Sequence, residues 1–236
     1  FHFQTEQLES RQLLANLTAH WLAQDLTATH EDGQAVAVWN DSVGDVSALA
    51  TGAPVLKHDV YDGHSAVRFD PSDGPDFFRV RAIDSPMSGA NDFTIVVVFA
   101  TQSDTLIGDS ESWFDNSGLI DASQFGSVEG WGLSINQAGQ VAAGIGNPRT
   151  TQFSTATGLN DGGSHVAIYT KGGNQISLYV DGQVGTTQGV SEAARDAREV
   201  WIGAVPVGLF GLHPYTGDIV EIRMYDDDLS PADVVE

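Results

Sequence analysis

Apolar residues recur at every second position in a series of short runs. Ala66-Val67-Arg68-Phe69 alternates; Trp131, Leu133 and Ile135 share one parity, and so do Ile176, Leu178 and Val180. Val220, Ile222 and Met224 fall on one face, with Glu221 and Arg223 on the other. A period of two puts alternate side chains on one side of an extended chain, which predicts half-buried β-strands. Phe93 to Phe99 is apolar on both parities and predicts a central strand covered on both faces. His165 to Thr170 and Val200-Trp201-Ile202 read as further strands. Between the runs lie five Asp-Gly pairs, at 32–33, 62–63, 73–74, 161–162 and 181–182. Both residues tolerate positive φ, so these are hairpin-turn signals. Many short strands with frequent turns predict an all-β fold, an antiparallel sandwich or barrel.

The first 25 residues differ. Leu13, Leu14, Leu17 and Trp21 fall at helical spacing after Thr5, Glu6 and Glu9. Two readings stand here. The segment is a terminal helix or strand packed on the sandwich, or it is an export or attachment segment whose apolar stripe finds a partner.

Composition narrows the function classes. Lys and Arg number 10 against 32 Asp and Glu, a formal charge of −22. The basic residues are scattered singly, so nucleic acid and anionic membrane surfaces are disfavoured partners. No run approaches the roughly 18 apolar residues of a membrane-spanning helix. With no cysteine, disulfides, thiolate nucleophiles and zinc–sulfur sites fall away. The 23 Asp against 9 Glu suit turns and hard-cation ligation, and a dense negative surface suits salty or calcium-containing surroundings. An extracellular or cell-surface location is expected.

Roughly residues 17–236 resemble the laminin-G-like, concanavalin A-like jelly-roll superfamily in its bacterial form. The resemblance rests on Trp39-Asn40-Asp41-Ser42, Ala66 to Asp70, the strand Phe93 to Ala100, Leu178 to Gly182, Trp201-Ile202-Gly203, and Gly217 to Ile222 leading to Tyr225 and Leu229-Ser230. Ser164-His165 stands where the family often has Trp-His. The resemblance implies an antiparallel β-sandwich over 17–236. Leu8-Glu9-Ser10-Arg11-Gln12-Leu13-Leu14-Ala15 resembles the LEPR-XLL motif of large bacterial surface proteins, with Ser10 in place of Pro, and this resemblance implies that residues 1–16 are a separate export or attachment segment. The chain opens at Phe1 without Met, consistent with a processed or a trimmed terminus.

The superfamily includes glycanases, which need two carboxylates about 5 Å apart. No Glu-x-Asp-x-x-Glu occurs, and the nearest pair, Asp218 and Glu221, has odd spacing and is expected on opposite faces, with Arg223 holding Glu221. No Gly-x-Ser-x-Gly elbow and no zinc spacing among the seven His is present. His165 is read as structural, and the glycines at 144–146 and 172–173 as turns. The superfamily often carries structural calcium, and the Asp-rich stretches 109–121 and 226–228 are its candidates, with no ligand assigned. Glycan binding needs an exposed ring beside hydrogen-bonding groups. Two loops offer this: Trp113, Phe114 and Asn116, and the loop at 210–215 with His213 and Tyr215. For Trp113 a core or subunit contact stands beside ligand contact. Trp21, Trp39, Trp131 and Trp201 are read as core. The leading functional expectation is a non-catalytic surface protein, adhesive or self-assembling into a layer or filament, joined to neighbouring copies or other surface proteins through Leu8, Leu13, Leu14 and Leu17. The alternatives are a carbohydrate-binding module and, less favoured, a glycoside hydrolase.

Overall fold

The computed structural model describes residues 16–108, 112–123, 130–146, 150–185, 187–190, 195–207 and 211–234. Within them nineteen strands, numbered in chain order, form two large antiparallel sheets and one hairpin. The nine-stranded sheet holds β1 (Leu17–Leu22), β4 (Val55–Tyr61), β5 (His64–Phe69), β7 (Phe93–Ala100), β12 (Ser164–Gly172), β13 (Gln175–Val180), β14 (Gln183–Val184), β15 (Gln188–Gly189) and β19 (Gly217–Tyr225). The eight-stranded sheet holds β2 (Val38–Asn40), β3 (Ser47–Thr51), β6 (Phe77–Val80), β8 (Ser117–Asp121), β9 (Trp131–Ile135), β10 (Val141–Ile145), β11 (Thr150–Phe153) and β16 (Val200–Ile202). A small hairpin, β17 (Ala204–Pro206) with β18 (Leu212–Pro214), packs on β8. The fold is the expected β-sandwich jelly roll.

One continuous apolar cluster fills the space between the sheets. Its largest side chains include Trp21, Trp39, Trp131, Tyr169, Phe69, Phe78, Phe93 and Phe99, all under 2 % exposed. Edge-to-face pairs lock rings from opposite sheets, Phe69 with Phe78, and from adjacent strands, Phe93 with Tyr169. β7 lies between β12 and β19 and is buried on both faces, as its uninterrupted apolar text requires.

Two of the five Asp-Gly pairs close tight hairpins. Asp62-Gly63 joins β4 to β5 and Asp181-Gly182 joins β13 to β14, and all four residues sit at positive φ. The other three lie in loops or in a 3₁₀ turn.

From Leu17 onward the strand alternative holds in place of the helical one. Leu17–Leu22 is a strand that pairs with β19, Leu17 opposite Tyr225 and Trp21 opposite Ile222. Ala19 and Trp21 are buried, so the tertiary ladder and a two-residue period win over local spacing. A 3₁₀ turn at Ala23–Ala28 follows.

Beyond β2, buried Asp41 ties down the loop to β3. It accepts the backbone N–H groups of Val43, Gly44 and Val46 at 2.7, 2.7 and 2.8 Å. Asp41→Ala would leave these donors unpaired and is expected to cost about 2 kcal/mol, with Asp41→Asn recovering part of it in chemical denaturation. Equal midpoints for the alanine variant and the parent would contradict that account.

Candidate functional site

β19 contains a bulge between Ile219 and Glu221, where its register against β7 shifts. Ile219 faces the core opposite Phe99, while Asp218 lies opposite Ala100 and Glu221 opposite Val98. One extra residue cancels the odd spacing. Asp218 and Glu221 therefore share the outer face of the sheet, contrary to the expectation from spacing alone. Each carboxylate is committed to partners. Glu221 Oε1 takes His20 Nε2 at 2.7 Å and Arg223 Nε at 2.6 Å. Burial opposes its ionisation, but these hydrogen bonds and the Arg223 charge outweigh it, and the group titrates below the usual glutamate range.

Asp218 is held by a bidentate Arg68, with Nε to Oδ1 and Nη2 to Oδ2 both 2.7 Å, and by the Tyr61 hydroxyl at 2.7 Å. Its side chain is 3 % exposed, whereas Arg68 remains 43 % exposed. The Arg68 guanidinium is held more firmly protonated by that hydrogen bond, against the opposing effect of burial. Burial and the Asp218 carboxylate push the Tyr61 phenol well above its ordinary range, so it stays a neutral donor. Three strands converge to place this triad: β4 brings Tyr61, β5 brings Arg68 and β19 brings Asp218.

The triad lies at one wall of a cleft of about 490 Å³ at the sandwich rim. Its other wall is the segment 101–105 leaving β7, together with Gly162 and Thr216. This wall is hydroxyl- and amide-rich. Thr101 Oγ1 donates to the Thr216 carbonyl at 2.6 Å, Ser103 and Thr105 hydroxyls pair at 2.8 Å, and Asn160 Nδ2 donates to the Ser103 carbonyl at 3.2 Å. His165 braces the adjoining turn, with Nδ1 2.8 Å from Asp181 and Nε2 3.1 Å from Asp161. That is the structural role its sequence context suggests. Gly217 is required beneath the cleft: a Cβ there would press on the Ala100 carbonyl and the Tyr215 hydroxyl, and its φ is 148°.

The aromatic residues chosen from sequence are placed differently. Tyr215 is fully buried, its hydroxyl donating to the Ala100 carbonyl at 2.7 Å and its ring edge-on to Phe69. It supports the cleft from below and has no exposed face. Trp113 is 2 % exposed, lies over Gly132 and Gly144 on the outer face of the eight-stranded sheet, and donates Nε1–H to Asp121 at 3.1 Å. Asn116 is fully buried, with Nδ2 3.4 Å from Ser134 Oγ. An exposed platform at 113–116 is thereby corrected: two strand glycines make a slot that the indole fills. Only Phe114, edge-on to Trp113, is half-buried. His213 is half-buried in β18, with Nδ1 buried and unpaired. Trp201 reverses the other way. It points outward beside Phe77, centroids 4.9 Å apart, with Arg79 5.5 Å over its ring. Gly144 and Gly172 are strand residues, where turns were expected.

Leu8, Leu13, Leu14 and the eight-residue motif around them lie outside the described residues. So does Phe210. Leu17 is a half-buried β1 residue. Among the described residues no three His, Asp or Glu side chains converge as metal ligands. In the 226–228 run, Asp226 accepts the Asn16 backbone N–H and side-chain amide, and the Asp228 carboxyl is pushed up by burial and by Asp227 and Asp92.

Sequence missed Tyr61, Arg68 and the 101–105 wall. The available signal was Arg68, a cation at an outward strand position in a chain with few basic residues.

A family profile described as the concanavalin A-like lectin/glucanases superfamily, of the Laminin_G_3 type, matches residues 76–235. The chain belongs to this superfamily. No curated protein sequence matches it. Among solved structures, domain 4 of AbnA, an extracellular arabinanase of Geobacillus stearothermophilus in complex with arabinotriose, is similar with TM-score 0.64 and 15 % identity, covering 93 % of this chain and 97 % of that one. Botulinum neurotoxin type C, whose cell entry depends on two ganglioside molecules, is similar with TM-score 0.59 and 11 % identity over 89 % of this chain and 50 % of that one. A mutant Trypanosoma rangeli sialidase gives 0.57 and 16 % over 92 % and 32 %. At these identities the likeness is one of fold.

Proposed function

We propose that this superfamily member is a non-catalytic, extracellular carbohydrate-binding module that takes a saccharide into the rim cleft. The observation that carries the reading is the convergence of Tyr61, Arg68 and the 101–105 segment on one open, polar cleft. A sugar needs donors and acceptors at close quarters, with a ring or stem for its C–H face. Arg68 commits only two of its five N–H donors to Asp218, and its side chain stays 43 % exposed. Gln102, Ser103 and Thr105 supply neutral partners. The carboxylates that hydrolysis would require are tied into ion pairs at Asp218 and Glu221, which favours binding over catalysis. The complex of the arabinanase domain with arabinotriose supports the same direction. Self-assembly rests on Leu8, Leu13 and Leu14, outside the described residues, and on Leu17, which β1 commits to the sheet.

The test is calorimetric titration with an oligosaccharide panel that includes arabinotriose. Replacing Gln102 and Thr105 together by Ala is expected to weaken a hit at least tenfold without shifting the melting temperature. Trp201→Ala, on the opposite sheet, is expected to leave it unchanged. Loss of affinity in Trp201→Ala alone would move the site to the other face, and no binding across the panel would reject the reading.

A further inference from the structure

The charges lining the cleft say what kind of saccharide suits it. Among the described lining residues the one guanidinium, Arg68, is bidentate to Asp218, so the pair presents no net positive charge. Two further carboxylates line the same cleft, Asp70 and Asp104, both on exposed residues. Asp70 is held in place by accepting the Ser72 N–H at 3.1 Å, at the start of a short 3₁₀ turn. Asp161 adjoins the rim, its carbonyl facing Gln102 Nε2 at 3.5 Å. The cleft is therefore net negative within a chain of formal charge −22. A carboxylate or sulfate entering it would meet Asp70 and Asp104 within about one screening length in physiological salt, with no free cation among the described lining residues to answer them. Stripping water from an unpaired anion adds to that cost. A hydroxyl-bearing ligand meets the reverse situation, because carboxylates are strong acceptors for sugar O–H groups and the remaining Arg68 N–H groups are donors.

We propose that the cleft selects uncharged saccharides and excludes uronate, sialylated and sulfated ones, with Asp70 and Asp104 as the excluding groups. This rests on the carbohydrate-binding reading and adds the ligand class to it.

The experiment titrates the whole chain with matched pairs that differ in acidic groups: lactose against 3′-sialyllactose, and a neutral trigalactoside against trigalacturonate, in low and high salt. In at least one pair the neutral partner is expected to bind at least tenfold more tightly than its acidic twin. That ratio should shrink in high salt and shrink again in the Asp70→Asn, Asp104→Asn double variant. Asparagine can still accept the Ser72 N–H, so thermal melting should show the variant folded. An acidic twin that binds as tightly as its neutral partner, or a ratio the double variant leaves unchanged, overturns the selectivity while the binding module stands. Silence from every pair and from arabinotriose removes the binding module itself, and the selectivity with it.

Discussion

Gly144→Ala is expected to destabilise the fold by about 3–5 kcal/mol, the range for removing a buried aromatic side chain from its packing. Gly144 has ordinary strand geometry, so the effect is not one of backbone freedom. A Cβ at this position would fall inside the Trp113 ring. The ring rests equally on neighbouring Gly132, and its Nε1–H is bonded to Asp121, so moving it off Gly144 breaks that bond and its seat together. The indole must leave, exposing its own surface and the slot. A double-mutant cycle tests the cause. In a Trp113→Ala background the Gly144→Ala change should cost less than about 1 kcal/mol, because the obstacle has gone. Additive losses measured by urea denaturation would show that the glycine is needed for another reason.

The second large effect is a pH dependence centred on Asp121. The carboxyl is fully buried beneath Trp113, and burial pushes it up to about 7. Hydrogen bonds from Ser123 Oγ, the Ser123 backbone N–H and the indole pull the other way without cancelling it. In the unfolded chain the group titrates near 4. Between these values the folded form holds a proton that the unfolded form has released. The stabilisation from that proton is complete below about pH 4 and is lost as pH rises through about 7. The full loss is on the order of 4 kcal/mol. Asp121→Asn should flatten this part of the profile and leave the variant relatively more stable above pH 7 than the parent. If the two proteins show parallel stability curves from pH 4 to 8, the buried carboxyl is not what titrates. The low-pH side carries an opposing contribution, since Glu221 is held below its usual range and its ion pairs weaken as acid protonates it.

The fold was legible in the sequence because period-two patterning and burial agree along most strands. Trp131, Leu133 and Ile135, and likewise Ile176, Leu178 and Val180, occupy the core face their parity predicts. Parity failed where the backbone broke its own count. The β19 bulge moved Glu221 to the face of Asp218, and a bulge leaves no mark in alternation until its partner strand is known. The places of two tryptophans were hidden for a related reason. Trp113 sits in polar text, but its slot is made by Gly132 and Gly144 from two other strands. Trp201 sits in apolar text, yet its neighbours Val200 and Ile202 take the core face and leave it outside. The cleft was hidden because its triad comes from residues 61, 68 and 218, which only the sheet order brings together.

β19 runs through the middle of the larger sheet, with β7 along one side and β5 and β1 sharing the other. It is also the last strand among the described residues. Until it has emerged from the ribosome, β1 has no ladder partner and the edges of β5 and β7 stand open. Assembly must then wait for a contact spanning about two hundred residues, which places refolding in the slow, high-contact-order regime of milliseconds to seconds. A nascent chain arrested before β19 would expose sticky strand edges and engage chaperones.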